Sequence, residues 1–471
     1  MLQRKAETLW GLVTGYGDLR SRCIADAGAR VELADLVPNQ ERRAATDALR
    51  NRSVLLHTND QLGTALALVA LDGIARRLVI CPAKFPPEFL ASVMRTAEVD
   101  AVVSDQAKVF DGFAEIQGGV HRPEVLAPPD ANADRTETEW ILFTSGTTGV
   151  PKQVVHTLRT LVGPVDRVRS LGANSVWSTF YDIRRYGGLQ ILLRALAAGG
   201  SMVLSNSSEM PAEFVRRLAG EGVTHISGTP SHWRLALMSG TQNLISPRYV
   251  RMSGEVADAA VIAALRAAYP DARVSHAFAS TEAGVVFDVD DGSAGFPARF
   301  IDPGSSSDVT LRVEDGSLRV RSTRVAHRYL GDGMPPLVDA DGFADTGDMV
   351  VLRGDRYHFA GRREGVINIG GQKVHPEEIE AVINQHPNVR MSLVKARPSP
   401  IVGSIVVAEV VPRSPTPASF NERDFRHVDG LAADVLQLCR ETLAPFKVPA
   451  SVRIVPSLNI SAAGKLVRSH A

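Results

Sequence analysis

Apolar residues along the first 350 or so positions fall into short runs separated by longer stretches of mixed polarity. "SVLLHT" (53–58), "RLVICP", "VDAVVSD", "WILFT" (140–144), "SMVLSN" (201–206), "THISG" (224–228) and "RYVRM" read as strands. Between them, "QLGTALALVALDGIARR" (61–77), "PAEFVRRLAGEG" and "PSHWRLALMSG" carry helical patterns, the first buried over one broad face. Strands alternating with helices predict α/β layers built on largely parallel sheets. From about residue 308 the character changes. "DVTLRVEDGSLRVRST" reads as a hairpin around Asp315-Gly316, and "DMVVLRGDRYHFAGR" as another around Gly354-Asp355. Ile379, Val382 and Ile383 then recur at helical spacing behind Pro376 and two early glutamates. A polar loop over 412–430, a helix over about 431–443 and a strand near "SVRIVP" complete the chain. The expected fold is α/β: a large, multi-layered N-terminal domain of mixed and parallel sheets with helices (1–361), then a small α+β C-terminal domain (366–471).

Composition narrows the function classes. With 471 residues the chain exceeds one ordinary core, and 44% apolar with 22% charged residues is the balance of a water-soluble globular protein. Lys plus Arg equal Asp plus Glu at 52 each, so no broad basic field favours nucleic acid. Cys23, Cys81 and Cys439 form no metal-ligand spacing and read as reduced thiols, which with the absence of a secretory apolar core predicts a cytoplasmic protein. No apolar run reaches membrane-spanning length; "TALALVALDGIARRLVI" is broken by Asp72, Arg76 and Arg77.

The chemistry concentrates in a few segments. "FTSGTTGVPKQVVHT" (143–157) follows the strand "WILFT", at the sheet end where open α/β folds bind ligands. Its small residues let backbone N–H groups approach phosphate oxygens, its hydroxyls donate, and Lys152 neutralises charge. It lacks the Gly-Lys-Ser/Thr ending of a P-loop, and alone it reads equally as a polar turn. "FASTEAG" (278–284) offers an aromatic face, a hydroxyl and a carboxylate; "MSGEVAD" places Gly254 and Glu255 after a strand. "DGFADTGD" ends in Asp348, an acceptor able to take both hydroxyls of a ribose. Arg362 and Lys465 supply cations in "GRREGVINIGGQKVHPEEIE" and "AAGKLVR".

These segments, in this order, resemble the adenylate-forming superfamily of acyl-CoA synthetases, stand-alone adenylation domains and firefly luciferase. The resemblance runs from about residue 50 to the C-terminus. It implies ATP-dependent activation of a carboxylic acid as an acyl-adenylate, with magnesium, followed by transfer to the thiol of CoA. The alternatives are loading onto a carrier protein's phosphopantetheine, a luciferase-like oxidation, or a non-catalytic nucleotide-binding protein. It implies that Thr144, Ser145, Gly146, Thr147, Thr148, Gly149 and Lys152 cradle the β- and γ-phosphates. Phe278 would stack on adenine beside Gly254 and Glu255, Thr281 would hold the α-phosphate, Glu282 the magnesium, and Asp348 the ribose with Arg362. Lys465 would bridge the acid and the reacting phosphate, 362–365 with Glu364 would be the hinge of a mobile small domain, and Gly370 and Gly371 would line the pantetheine channel.

The chain also departs from that pattern. Gln153 and Ala279 replace glycines, Asn368 replaces a common lysine, and the N-terminal region is short. Within "STFYDIRRYGGLQ" (178–190), the segment aligned with the acyl pocket, Arg184 and Arg185 read either as partners of a second carboxylate or another polar group on the substrate, or as structural or solvent-facing cations. Tyr186, Gly187 and Gly188 read as pocket wall or as a turn, and His156 and His225 as packed or capping residues.

Overall fold

The computed structural model describes residues 8–16, 18–36, 40–83, 85–110, 116–129, 135–144, 150–163, 175–206, 209–301, 308–369, 372–399, 403–413, 430–461 and 465–467. Two large sheets form its body. One has seven strands, with Arg77–Ile80, Ser53–His57 and Ala101–Ser104 parallel at its centre. Glu139–Thr144 pairs parallel with Arg77–Ile80, then Lys152–Thr157 and Arg328–Tyr329 add antiparallel strands at that edge. The other has eight strands, in which Ser201–Leu204, Val176–Thr179, His225–Gly228, Tyr249–Ser253 and Arg273–Ser280 run parallel. A five-stranded antiparallel sheet follows, containing both expected hairpins, Val309–Glu314 with Ser317–Ser322 and Ala344–Arg353 with Arg356–Arg362. Asp315 and Gly316 both take positive φ (51° and 76°), as a two-residue hairpin turn requires.

The C-terminal region is α+β. A three-stranded sheet of Val389–Ser399, Gly403–Pro412 and Ser451–Ile454 packs with helices Pro376–Ile383 and Leu431–Thr442 around its own apolar core. No helix among the described residues is long and apolar enough to cross a membrane.

Helices Gln61–Leu71 and Tyr186–Ala197 belong to the largest core cluster, which also takes residues from both large sheets. This sandwiched position explains why both are apolar nearly all round rather than along one stripe. Asp60 caps the first by accepting the Gly63 N–H at 2.6 Å. The sequence pattern extends that helix to residue 77 and buries one broad face; the structure ends it at Leu71 and buries both sides. Gly73 turns the chain with φ +88°, and a Cβ there would lie 2.5 Å from the Thr8 methyl. Residues Arg77–Ile80 are then free to form a central strand.

The carboxylate at this break joins distant parts of the fold. Asp72 accepts the Leu9 N–H at 2.7 Å and the Trp140 indole N–H at 2.8 Å. Burial pushes its pKa up to about 6, against the opposing pull of those two donors. The folded chain therefore holds this proton more tightly than the unfolded chain does, so the contribution is full below about pH 4 and lost as pH rises through about 6. An Asn at this position cannot titrate. Relative to Asp72→Asn, wild type is expected to lose up to about 3 kcal/mol of stability between pH 4 and 7. Urea denaturation at the two pH values checks this; a gap independent of pH would contradict it.

Candidate active site

A cavity of about 280 Å³ opens where strand ends of the eight-stranded sheet meet the five-stranded sheet and the C-terminal region. Gly254, Glu255, Phe278, Asp348, Arg362 and Lys465 all line it.

Gly254 follows the Tyr249–Ser253 strand with φ +86°, a conformation that favours glycine. A Cβ there would lie 3.5 Å from Lys465 Cε, so the tail lysine passes directly over this backbone. Glu255 holds that arrangement together. Its carboxylate accepts the Ser231 N–H at 2.9 Å, the Ser231 hydroxyl at 3.0 Å and the Leu466 N–H at 3.0 Å. It thus pins the residue after Lys465 to the N-terminus of helix Pro230–Met238.

Phe278 stacks on Phe359, with centroids 4.9 Å apart and planes 29° apart, and both rings line the cavity. Asp348 and Arg362 are paired residues on adjacent antiparallel strands, which places Arg362 Nε 3.2 Å from Asp348 Oδ1. The other oxygen, Oδ2, has no hydrogen-bond partner. Burial raises the Asp348 pKa, opposed by Arg362 and Lys465. At Lys465 the crowding of protein around the amine lowers the pKa; Arg362 and Arg185 lower it further, while Glu255 and Asp348 oppose. The side chain keeps substantial exposed surface, as a wall of the cavity does.

A second group lies on the seven-stranded sheet. Thr144 and Lys152 face each other across the hairpin that flanks the hydroxyl- and glycine-rich loop. Ser145, Gly146, Thr147, Thr148 and Gly149 lie outside the described residues, as do Gly370 and Gly371. Lys152 Nζ sits 5.2 Å from the centre of the Tyr329 ring. The Tyr329 hydroxyl reaches Glu282 Oε1 at 3.4 Å, and burial followed by the Glu282 charge pushes its pKa up to about 12. Thr281 is positioned from behind: its carbonyl lies 2.7 Å from His156 Nε2, which donates there. Burial lowers the His156 pKa to about 4, so the ring is neutral at pH 7. Gln153 is buried on the opposite face of its strand from Lys152.

The described residues contain no cluster of three or more His, Cys, Asp or Glu able to hold a metal unaided. One carboxylate, Glu282, beside a lysine and a tyrosine fits magnesium carried by a polyphosphate, which keeps phosphate and water as its other ligands.

In the acyl-pocket segment the structure takes up two candidates for its own turn. Arg184, 1% exposed, donates from Nε to Asp182 at 2.8 Å and from Nη1 to the Thr58 carbonyl at 2.7 Å. Its guanidinium is thus used within the fold, as in the structural alternative read from the sequence. Gly188 is required by the turn, because a Cβ would come within 2.3 Å of the Asp182 carbonyl. Tyr186 is buried against His156 at 5.6 Å, while a Cβ at Gly187 would meet only the Tyr181 ring at 3.9 Å.

Sequence reading missed Phe359 and Tyr329, while His156 is packed as expected and also supports Thr281. No motif marks the two aromatic residues; strand pairing brings them into place, Phe359 beside Val350 and Tyr329 beside Val154. Phe359→Ala is expected to weaken ATP binding about tenfold, given the roughly 1–3 kcal/mol that base stacking on an aromatic contributes. Isothermal titration would measure it, and unchanged affinity would remove Phe359 from the site.

Residues 47–330 match the family described as AMP-binding enzyme, and residues 378–465 match the AMP-binding enzyme C-terminal domain. The chain is 25% identical to pyochelin synthase PchD of Pseudomonas aeruginosa (strain UCBPP-PA14), over 95% of this chain and 88% of that one. It is 28% identical to the 2-succinylbenzoate–CoA ligase of Salmonella typhimurium, over 74% of each chain. Its fold superposes on the anthranilate CoA ligase AuaEII in complex with anthranoyl-AMP with a TM-score of 0.78, at 17% identity, covering 98% of this chain and 95% of that one. The chain belongs to the family of AMP-binding enzymes.

Proposed function

We propose that this protein is an AMP-forming acid–thiol ligase, which activates a carboxylic acid with ATP and passes the acyl group to CoA. The observation that carries this reading is the convergence of Lys465, near the C-terminus, with Phe278, Asp348 and Glu255 on one cavity. Adenine would lie against Phe278 and Phe359, and the ribose hydroxyls would reach the unpartnered Asp348 oxygen. The triphosphate would extend toward Thr281, Glu282 and Lys152.

A carboxylate is a weak electrophile, and its attack on phosphorus brings two anions together. Its oxygen bonds to the α-phosphorus, the bond from α-phosphorus to the bridging oxygen breaks, and pyrophosphate leaves. Lys465 neutralises charge between acid and α-phosphate, and Lys152 neutralises it on the departing oxygens. Magnesium bound to the triphosphate would add Lewis-acid polarisation at Glu282. In the second step a thiolate attacks the acyl carbonyl and AMP leaves. Lys465 has no role there, so the small domain turns about 362–365, at Glu364, and presents Gly370 and Gly371 to the pantetheine arm.

A second acceptor remains in view. One relative aligned over 95% of this chain is named a synthase rather than a CoA ligase. In that reading the thiol belongs to a carrier protein's phosphopantetheine. Parallel assays with CoA and with a pantetheinylated carrier separate the two.

Lys465→Ala is expected to lower acid-dependent pyrophosphate exchange at least about a hundredfold, the scale of removing one charge-stabilising donor. Thioester formation from preformed acyl-adenylate should persist. Equal loss of both steps would contradict the division of labour, and absence of any acid-dependent pyrophosphate release in wild type would remove the reading itself.

A further inference from the structure

Arg184 and Arg185 are adjacent and chemically identical, yet the fold treats them differently. Arg184 is consumed by Asp182 and the Thr58 carbonyl. Arg185 is half-buried at the entry to helix Tyr186–Ala197, and its guanidinium has no ion pair or hydrogen bond among the described residues. Its own turn has only Asp182 to offer, and that carboxylate is within pairing distance of Arg184 alone. Burial accordingly lowers the Arg185 pKa, with Asp182 opposing only in part.

The turn that carries Arg185 is fixed against the site. The Tyr181 hydroxyl donates to the Ser253 carbonyl at 2.8 Å, and Ser253 immediately precedes Gly254, which lies against Lys465. Across this gap Arg185 and Lys465 are close enough for the charge of Arg185 to depress the lysine pKa. Glu255 accepts three hydrogen bonds and Asp348 pairs through Oδ1 with Arg362, and neither forms an ion pair with Arg185. Glu377 lines the same cavity but is not among the charges acting on Arg185. A partly desolvated guanidinium with no counter-charge is costly, and a bidentate carboxylate is its best-matched partner.

A reacting monocarboxylate cannot meet that need, because its one carboxyl is spent at Lys465 and the α-phosphate. We propose that Arg185 binds a second carboxylate on the acid, making this enzyme selective for dicarboxylic acids. The inference rests on the acid-activation reading above. A nucleotide phosphate is the other source of anionic oxygens. The acid is favoured because Lys152 and Tyr329, on the phosphate side, belong to the other large sheet, and neither Lys152 nor Glu282 is among the charges acting on Arg185.

The test compares aliphatic and aryl dicarboxylates with the monocarboxylates that lack one carboxyl, by pyrophosphate release from wild type, Arg185→Gln and Arg185→Lys. Wild type should favour the diacids in kcat/KM by at least about thirtyfold. Arg185→Gln should erase that preference mainly through KM of the diacid, and Arg185→Lys should restore part of it. In parallel, the diacid alone should raise the Tm of wild type and not of Arg185→Gln, a readout independent of turnover. Wild type that prefers monoacids, or an Arg185→Gln whose main defect is the KM of ATP, would overturn the assignment while leaving acid activation standing. Release of pyrophosphate with no acid at all would defeat the acid-activation reading and this proposal together.

Discussion

The site depends on one carboxylate. Glu255 accepts hydrogen bonds from Ser231 on one side and from the Leu466 N–H on the other, so a residue from the chain's extreme end is tied to the rim of the eight-stranded sheet. Bonds to a charged acceptor contribute about 1.5–3 kcal/mol each. Other polar contacts across this seam include Asn384 to Asp258 at 3.2 Å and Arg390 to the Met238 carbonyl at 3.4 Å, both at the long end for hydrogen bonds. A clasp of this kind holds Lys465 at Gly254 without burying the tail in an apolar core, and so is compatible with the withdrawal proposed for it.

Around that clasp the charges are arranged in opposition. Asp348 is raised by burial and steadied by Arg362, while Lys465 is lowered by crowding and steadied by Glu255 and Asp348. The second pole, Lys152 with Tyr329 and Glu282, is held by different elements, and a neutral buried histidine supports its Thr281. Two poles on two sheets match an extended substrate that carries negative charge along its length.

Much of this was legible in the chain. Strand-length apolar runs gave the parallel sheets, and Asp315-Gly316 gave the hairpin turn in place. Residues from three separated motifs, Glu255, Phe278 and Asp348, do converge with Lys465. What could not be read depends on register and on competition for partners. The helix from Gln61 stops at Leu71 because Asp72 is needed by Leu9 and Trp140, both remote in sequence. Phe359 and Tyr329 enter through strand pairing, which no local pattern encodes. Between Arg184 and Arg185, only the positions of Asp182 and the Thr58 carbonyl decide which is structural.

Hydrogen exchange at the Leu466 amide, in wild type and in Glu255→Ala, asks whether Glu255 seats the tail lysine. Exchange should be slow in wild type and near the free-peptide rate in the variant. Equally fast exchange in both would show that the tail is not held by that carboxylate.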